Sequence, residues 1–229
     1  MSENHTVLYR KYRPRTFDEV FGQEQIVKVL QGSIELGNIG HAYLFSGPRG
    51  TGKTTMARIF ARAIGCSDND IIEIDAASNR GIDDIRAIRE GVNSLPFDSE
   101  RKMYIIDEVH MLTKEAFNAL LKTLEEPPSH VVFVLATTEL HKVLPTVISR
   151  CQSFVFASPT YTVLKDMLSN IVDKEGYTID PGSLDLIAML ARGSFRDAQG
   201  VLQKLISYSK DKAITRDETE LITGAPSAS

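Results

Sequence analysis

The chain has 229 residues, of which 42% are hydrophobic and 24% charged, and its formal net charge at pH 7 is -4. This length suits one large domain or two smaller ones, and the hydrophobic fraction is sufficient for a buried core. The negative charge argues against a protein that coats nucleic acid through overall basicity, so we expect any contact with DNA to be local or shared with partner chains.

We expect no targeting signal at the N-terminus. Met1 to His5 has neither the basic start nor the apolar segment of a signal peptide, and no later apolar run is long enough to cross a bilayer. We therefore expect a cytoplasmic protein with no membrane partner. Tyr9 to Arg15 is basic with interleaved aromatic residues, a charge pattern whose simplest interpretation is a solvated arm.

The first long helix precedes the first strand. Its apolar positions keep helical spacing and it ends at Gly37, the stripe being Ile26, Val29, Leu30 and Ile34. An apolar segment from Tyr43 to Ser46 follows, which predicts a buried strand.

A phosphate-binding loop comes directly after this strand. The motif G-x-x-x-x-G-K-[ST] is formed by Gly47, Pro48, Arg49, Gly50, Thr51, Gly52, Lys53 and Thr54. Glycines let successive backbone N–H groups curl around a polyphosphate, and the following helix adds the positive end of its dipole. We expect Lys53 to reach the β- and γ-phosphates, Thr54 to ligate Mg²⁺, and the loop with Thr55 to hold the nucleotide.

A polar link and a second strand follow the loop helix. The link starts at Cys66, and because Cys151 is the only other cysteine and lies far away, both are expected to be free thiols. The strand runs from Ile71 to Ile74. The apolar face of the helix after it carries Ile85, Ile88, Val92 and Leu95. Its other face carries Arg86 and Arg89, and such a charged face is more simply solvated than bound to DNA.

Two acids end the next predicted strand, Met103 to Ile106, in the form of a Walker B element. The carboxyl ends of parallel strands meet where ligands bind in open α/β sheets, which brings these acids beside the phosphate loop. We expect Asp107 to hold Mg²⁺ and Glu108 to orient and polarise the attacking water.

The following segments complete the sheet. Thr113 is expected to cap a helix that Pro127 and Pro128 end, with an apolar stripe of Phe117, Leu120, Leu121 and Leu124. The strand Val131 to Ala136 ends in the hydroxyls of Thr137 and Thr138, which can touch a γ-phosphate or the water. A last short strand is predicted from Ser153 to Ala157.

Five strands alternating with helices predict a parallel, doubly wound α/β sheet over residues 1–158. Beyond Ser158 only helical patterns remain, which predicts a small all-α domain over residues 159–224 and a tail over 225–229. Ser194 and Asp197 have the spacing of a capping box. Arg196 falls in the first turn of that helix, where a cation is electrostatically unfavourable and an anionic ligand would account for it.

Together these motifs resemble an AAA+ ATPase with its lid, here a RecA-like sheet followed by a helical domain. More narrowly, the chain resembles the gamma/tau subunits of bacterial DNA polymerase III in several stretches: Tyr12 to Pro14, Phe21 to Gln23, Ser46 to Thr54, Glu73 to Ser78, Asp107 to Leu112, Leu121 to Pro128, and Ser149 to Cys151. The resemblance implies a clamp loader, which uses ATP with Mg²⁺ to place a sliding clamp on primer-template DNA during replication.

The resemblance also implies roles for three further residues. Thr138 is similar to sensor 1 of the family and Arg196 to sensor 2, which reads the γ-phosphate. Arg150 is similar to the arginine finger, which acts on ATP held by a neighbouring subunit. The implied partners are the delta and delta-prime subunits, further gamma/tau copies, the sliding clamp and primer-template DNA. No polymerase active site is expected in this chain.

The sequence departs from the family in two respects. The family has four cysteines in a zinc module where only Cys66 stands here, so we expect no zinc site. The family also continues into a helical collar, so we do not expect the chain alone to form a stable pentamer. Two alternatives stay open: a non-hydrolysing scaffold subunit, and a branch-migration helicase, because Asp107 to His110 also fits a loose D-E-x-H pattern.

Overall fold

The computed structural model describes residues 6–225. The N-terminal five residues, with His5, and the expected tail beyond Ala225 lie outside the described residues. The strands are Ala42–Ser46 (β1), Ile71–Asp75 (β2), Lys102–Asp107 (β3), Val131–Thr137 (β4), Gln152–Val155 (β5), Thr178–Ile179 (β6) and Ala213–Ile214 (β7). The helices are Leu8–Lys11 (α1), Glu24–Glu35 (α2), Lys53–Ala63 (α3), Ile82–Val92 (α4), Lys114–Glu125 (α5), Pro145–Ile148 (α6), Tyr161–Glu175 (α7), Pro181–Leu190 (α8), Phe195–Tyr208 (α9) and Arg216–Thr223 (α10).

The contacts divide the chain into two compact units. The sheet unit comprises Arg15–Gly47 and Gly52–Phe156. The helical unit comprises the described residues as far as Pro14, the segment Pro48–Thr51, and the described residues from Ala157 onward. The start of the chain and the tip of the phosphate loop therefore group with the C-terminal helices. A single division at residue 158 assigns both of these segments to the sheet domain instead.

In the sheet unit, five parallel strands lie in the order β2-β3-β4-β1-β5. Each predicted strand is present, with ends shifted by one or two residues. The chain crosses from β1 to the far edge at β2 and then returns strand by strand, so β4 lies between β3 and β1. Consequently the carboxyl end of β4 lies between the acids at the end of β3 and the loop after β1, as the pairing of Ser46 with Thr137 shows.

Successive side chains along each strand enter opposite faces of the sheet, and helices cover both faces. On one face Leu44, Ile106 and Phe133 pack with α4, α5 and α6. On the other face Tyr43, Ile105 and Val134 pack with α2 and α3. This arrangement confirms the predicted doubly wound sheet.

The helix ends follow the expected local chemistry, whereas two predicted core residues are exposed. Thr113 caps α5 by accepting the N–H of Ala116. Val29 is 55% exposed because it faces away from the stripe of Ile26 and Leu30, and Leu95 is 78% exposed because α4 ends before it, at Val92.

Cys66 and Cys151 are free, and burial raises the pKa of each thiol to about 11.

The basic N-terminal segment is packed, so its interpretation as a solvated arm is wrong. Leu8 is buried and its N–H donates to the side chain of Gln203 on α9, at 2.9 Å. Lys11 and Tyr12 both bind the Glu175 carboxylate on α7. Burial of an apolar residue and charge pairing with sequence-distant helices therefore outweigh the local charge pattern.

The C-terminal part of the helical unit is mainly helical, as predicted, and also contains a short parallel pair of strands. Thr178 pairs with Ala213 and Ile179 with Ile214. Two residues are too few to show an alternating pattern, so this pair has no sequence signal. In the described part of the chain, no helix combines the length and the apolarity that crossing a membrane requires.

Candidate nucleotide-binding site

The phosphate loop has the backbone that glycine alone adopts freely. Gly47, Gly50 and Gly52 all have positive φ. A Cβ on Gly47 would lie 2.3 Å from the carbonyl oxygen of Phe156 in the sheet unit. A side chain is therefore excluded at Gly47, where the loop leaves β1.

Lys53 begins α3 and is only 6% exposed. Its Nζ donates a hydrogen bond to the carbonyl of Gly47, at 2.8 Å. The ammonium group is thus folded back over the curve of the loop. A buried cation at a helix N-terminus is electrostatically unfavourable by itself, and a polyphosphate would reverse that balance.

Thr54 and Asp107 are joined directly although 53 positions separate them. The Thr54 hydroxyl donates to Asp107 Oδ2 at 2.6 Å. A hydroxyl and a carboxylate side by side are the oxygen donors that Mg²⁺ accepts in a phosphate-binding site. The sheet order brings them together because β1 and β3 end at the same edge.

Glu108 occupies a strained position next to these groups. Its backbone is left-handed, with φ 50°, which is uncommon for a residue other than glycine. Its Oε2 accepts a hydrogen bond from the Thr138 hydroxyl, at 2.9 Å. The structure thus brings Lys53, Thr54, Asp107, Glu108 and Thr138 to one edge of the sheet unit.

His110 belongs to the same cluster. Its Nδ1 lies 2.9 Å from Thr137 Oγ1 and 3.4 Å from Glu108 Oε2, and its side chain is 6% exposed. The spacing Asp-Glu-x-His was the available signal. Sequence alone did not reveal that a short 3-10 turn after Glu108 folds this ring back onto the end of β4.

In the helical unit, the start of α9 contacts the tip of the phosphate loop. The N–H of Phe195 donates to the carbonyl of Gly50, and a Cβ on Gly50 would lie 2.1 Å from Ser194 Oγ. Ser194 caps α9 as expected by accepting the N–H of Asp197. Arg196 is exposed and its guanidinium lies over the ring of Tyr9, 5.8 Å from the centroid.

The other loop residues differ in exposure. Thr51 is buried and its hydroxyl donates to the carbonyl of Pro48 at 2.9 Å, which fixes the tip of the loop. Pro48 and Arg49 are exposed, whereas Thr55 is half-buried on the first turn of α3.

Arg150 lies away from this edge of the sheet unit. It binds the Glu125 carboxylate and donates to the carbonyl of Thr146, at 2.6 Å. Gln152, which begins β5, pairs with Tyr43, so Arg150 lies near the amino ends of the strands. The distance from Tyr43 to Gly47 along β1 is roughly 13 Å, at about 3.3 Å per residue.

The residues present fit a magnesium–nucleotide complex. Three glycines of the loop have positive φ, Lys53 supplies a buried cation, and the oxygens of Thr54 and Asp107 adjoin each other. Among residues 6–225 no cluster of three or more His, Cys, Asp or Glu side chains has the arrangement of a metal site made by protein ligands alone. The absence of zinc stays a prediction.

Comparisons with known proteins point to one family. A family model described as "DNA polymerase III, delta subunit" matches residues 22–81 and 67–160. A second, described as "DNA polymerase III clamp loader subunit, ATPase lid domain", matches residues 164–211.

Curated relatives agree with these models. The chain is 48% identical to DNA polymerase III subunit tau of Bacillus subtilis, over 98% of this chain and 43% of the relative. It is 42% identical to subunit gamma/tau of Mycoplasma pneumoniae, over 93% of this chain and 34% of the relative. The chain therefore spans less than half the length of these two relatives. The Bacillus alignment is 245 positions long, so that relative has residues with no counterpart here.

Among solved structures, Thermotoga maritima RuvB is similar in fold. One RuvB structure, of a mutant form, has a TM-score of 0.79 at 25% identity and covers 93% of this chain and 73% of its own. Another, titled a Holliday junction branch migration motor, has a TM-score of 0.78 at 25% identity, over 93% of this chain and 72% of its own. The AAA+ fold of a sheet domain followed by a helical domain is thereby established.

Proposed function

This chain belongs to the gamma/tau family of bacterial DNA polymerase III clamp-loader subunits, and from that premise we propose that it is an ATP-hydrolysing motor subunit of a clamp loader. In this proposal it binds ATP with Mg²⁺ and uses hydrolysis to load a sliding clamp onto primed DNA. The observation that carries the proposal is the 2.6 Å hydrogen bond between Thr54 and Asp107, beside the buried Lys53.

Each side chain of the cluster has a task in hydrolysis. Lys53 and the loop N–H groups hold the phosphates, and Thr54 and Asp107 hold the metal. When bound, Mg²⁺ neutralises the charge that develops on the phosphate oxygens. Glu108 orients the attacking water as a general base, and Thr138 contacts the γ-phosphate as sensor 1. Arg196 serves as sensor 2, which reads the γ-phosphate.

Arg150 is proposed to act on the nucleotide of a neighbouring subunit. Its place near the amino ends of the strands supports this role, because the phosphate loop of its own chain follows the carboxyl end of β1. An arginine supplied in trans raises phosphoryl-transfer rates by roughly 10³ to 10⁵ in GTPases. The neighbours would be delta, delta-prime and further gamma/tau subunits, and a replication role would place the complex in the bacterial cytoplasm.

The proposal is tested with the full chain, alone and combined with purified partner subunits. We expect Mg²⁺-dependent ATP binding, and hydrolysis that rises with partners, clamp and primed DNA. Lys53→Ala should abolish binding, whereas Arg150→Ala should leave binding intact and lower turnover only in the assembly. A wild-type chain that binds no ATP by calorimetry would contradict the proposal.

The proposed motor subunit can be distinguished from the two alternatives, a non-hydrolysing scaffold subunit and a branch-migration helicase. A scaffold subunit would not need the combination of Lys53, Thr54, Asp107 and Glu108, all of which are present. A branch-migration helicase would move DNA strands without a clamp. Identity to RuvB is 25%, compared with 48% to the tau subunit of Bacillus subtilis, which favours the clamp loader.

A further inference from the structure

Thr138 and His110 both lie beside the Glu108 carboxylate in the sheet unit. In the proposed reaction only Thr138 turns away from it, toward the γ-phosphate. Thr138 Oγ1 lies 2.9 Å from Glu108 Oε2, and His110 Nδ1 lies 3.4 Å from the same oxygen. The Thr138 hydroxyl has a single proton to donate. It can therefore donate either to the carboxylate or to a γ-phosphate, but not to both at once.

His110 is also held by Thr137, through the same ring nitrogen that faces the carboxylate. Its Nδ1 lies 2.9 Å from Thr137 Oγ1, which also accepts the N–H of Glu139 at 3.0 Å. Thr137 is completely buried, so this support does not depend on solvent. The ring is thus held by the end of β4 whether or not Thr138 turns away from Glu108.

We propose that His110 is the positioning residue of Glu108, and that it keeps the carboxylate oriented toward the water when Thr138 donates to the nucleotide. This inference rests on the proposed function, because it assigns a supporting residue to the same hydrolytic site. In this proposal Nδ1 is the donor, because the Glu108 carboxylate oxygen beside it can only accept. Nδ1–H then donates to Thr137 Oγ1 and at the same time faces Glu108 Oε2.

Three substitutions of His110 separate positioning from packing. Asparagine places an amide N–H near the position of Nδ1, glutamine places one near Nε2, and alanine removes both. We expect His110→Ala to lower kcat roughly ten- to one-hundred-fold, as for misplacement of a catalytic group by about 1 Å. His110→Asn should recover most of that loss and His110→Gln should not. The affinity for ATP should change by less than about twofold in all three, because His110 contacts none of the proposed nucleotide ligands.

The matched control is His130→Ala. His130 precedes β4 at its other end and bonds to the carbonyls of Val92 and Ser94, at 3.1 and 3.0 Å. This variant removes a half-buried histidine at the other end of the sheet without touching Glu108. Its kcat should stay near that of the wild type. Melting temperatures of all variants show whether a loss of turnover accompanies a loss of folded protein.

The measurements are made on the full chain assembled with its partner subunits. Full turnover in His110→Ala, equal turnover in the asparagine and glutamine variants, or an equal loss in His130→Ala would each overturn the inference. The comparison of asparagine with glutamine remains decisive even where His110→Ala melts at a low temperature. If the wild type hydrolyses no ATP, the proposed function fails as well; if it does and His110→Ala is unaffected, only this inference fails.

Discussion

The two ends of the central sheet carry the same types of polar residue and arrange them differently. At the carboxyl ends of the strands are a buried lysine, a histidine and a carboxylate, namely Lys53, His110 and Asp107. At the amino ends are the counterparts Lys102, His130 and Asp70. At the carboxyl ends, Thr54 on α3 bonds to Asp107 and Thr138 after β4 bonds to Glu108, so two contacts join side chain to side chain, while Lys53 Nζ donates to the carbonyl of Gly47.

At the amino ends, the same residue types mainly bind loop and helix-end backbone. Lys102 is 7% exposed, and where α4 ends its Nζ donates to the carbonyls of Gly91 and Ser94, at 3.2 and 3.1 Å, and to the Ser94 hydroxyl at 2.8 Å. His130 bonds to carbonyls of the same helix end. Asp70 is 1% exposed and accepts the N–H of Asp98 at 2.9 Å.

This difference shows why residue type alone does not identify a site. Backbone groups of a fixed loop cannot move to accommodate a ligand, so the amino-end contacts serve to hold the fold. The hydroxyls at the carboxyl ends can rotate and exchange one acceptor for another at little cost. We therefore expect substitutions at the carboxyl ends to affect activity and those at the amino ends to affect stability.

The largest expected effect concerns Glu108→Gln. The amide cannot accept a proton, so kcat for ATP hydrolysis should fall by about 10² to 10⁴, the usual contribution of a general base. ATP binding and the melting temperature should stay close to wild type. Steady-state hydrolysis and calorimetry measure the two quantities. Glu100→Gln, an exposed acid near the amino ends, is the control; an equal loss of turnover there would contradict the comparison.

The two buried lysines provide a direct test. Lys102→Met keeps most of the side-chain volume but leaves the carbonyls of Gly91 and Ser94 without this donor, so the free energy of unfolding should fall by about 1 to 3 kcal/mol. Lys53→Met should abolish ATP binding and lower the free energy of unfolding by less than Lys102→Met does, because catalytic positions are not optimised for stability. Urea unfolding followed by circular dichroism measures both. Equal losses of stability would remove the proposed difference between the two ends.

Asp70 predicts a dependence of stability on pH. Burial alone would raise the pKa of Asp70, but the N–H groups of Phe97 and Asp98 outweigh it and hold that pKa well below the ordinary value. Because the folded pKa lies below the unfolded one, of about 3.9, the stabilisation is present above about pH 4 and is lost as the pH falls further.

We therefore expect Asp70→Asn to lower the free energy of unfolding by about 2 kcal/mol at pH 7, and by progressively less below about pH 4. Urea unfolding at pH 7, 5 and 3 measures the difference. Asp68→Asn is the matched control, because Asp68 lies two positions away and its side chain is 77% exposed. A difference between wild type and Asp70→Asn that is independent of pH would show that the charge of Asp70 is not responsible.

The smallest effect is expected away from both ends. Arg86 pairs with Asp83 on the exposed face of α4, at 2.9 Å, with both side chains largely in solvent. Arg86→Ala should change the free energy of unfolding by no more than about 0.5 kcal/mol, and salt should reduce the change. Unfolding at low and high salt tests this. A larger loss would mean that polar contacts outside the two ends also stabilise the sheet unit.

The strands, the helix stripes and the phosphate loop could be predicted because their signals are local. Periodicity identified the stripe on α5, of which Phe117, Leu120 and Leu124 are buried. The interpretation of the basic arm failed because its partners lie more than 160 positions away, on α7 and α9. The pair β6 and β7 escaped prediction because each strand has only two residues.

The sequence by itself determined the fold class and the identity of the phosphate loop, because alternation of strands with helices and the spacing of glycines are properties of neighbouring residues. Only the tertiary structure decided which polar side chains meet. Strand order places the end of β4 between those of β1 and β3, and a single left-handed residue, Glu108, directs His110 back to Thr137. Contacts of this kind depend on distances through space between residues that are far apart along the chain.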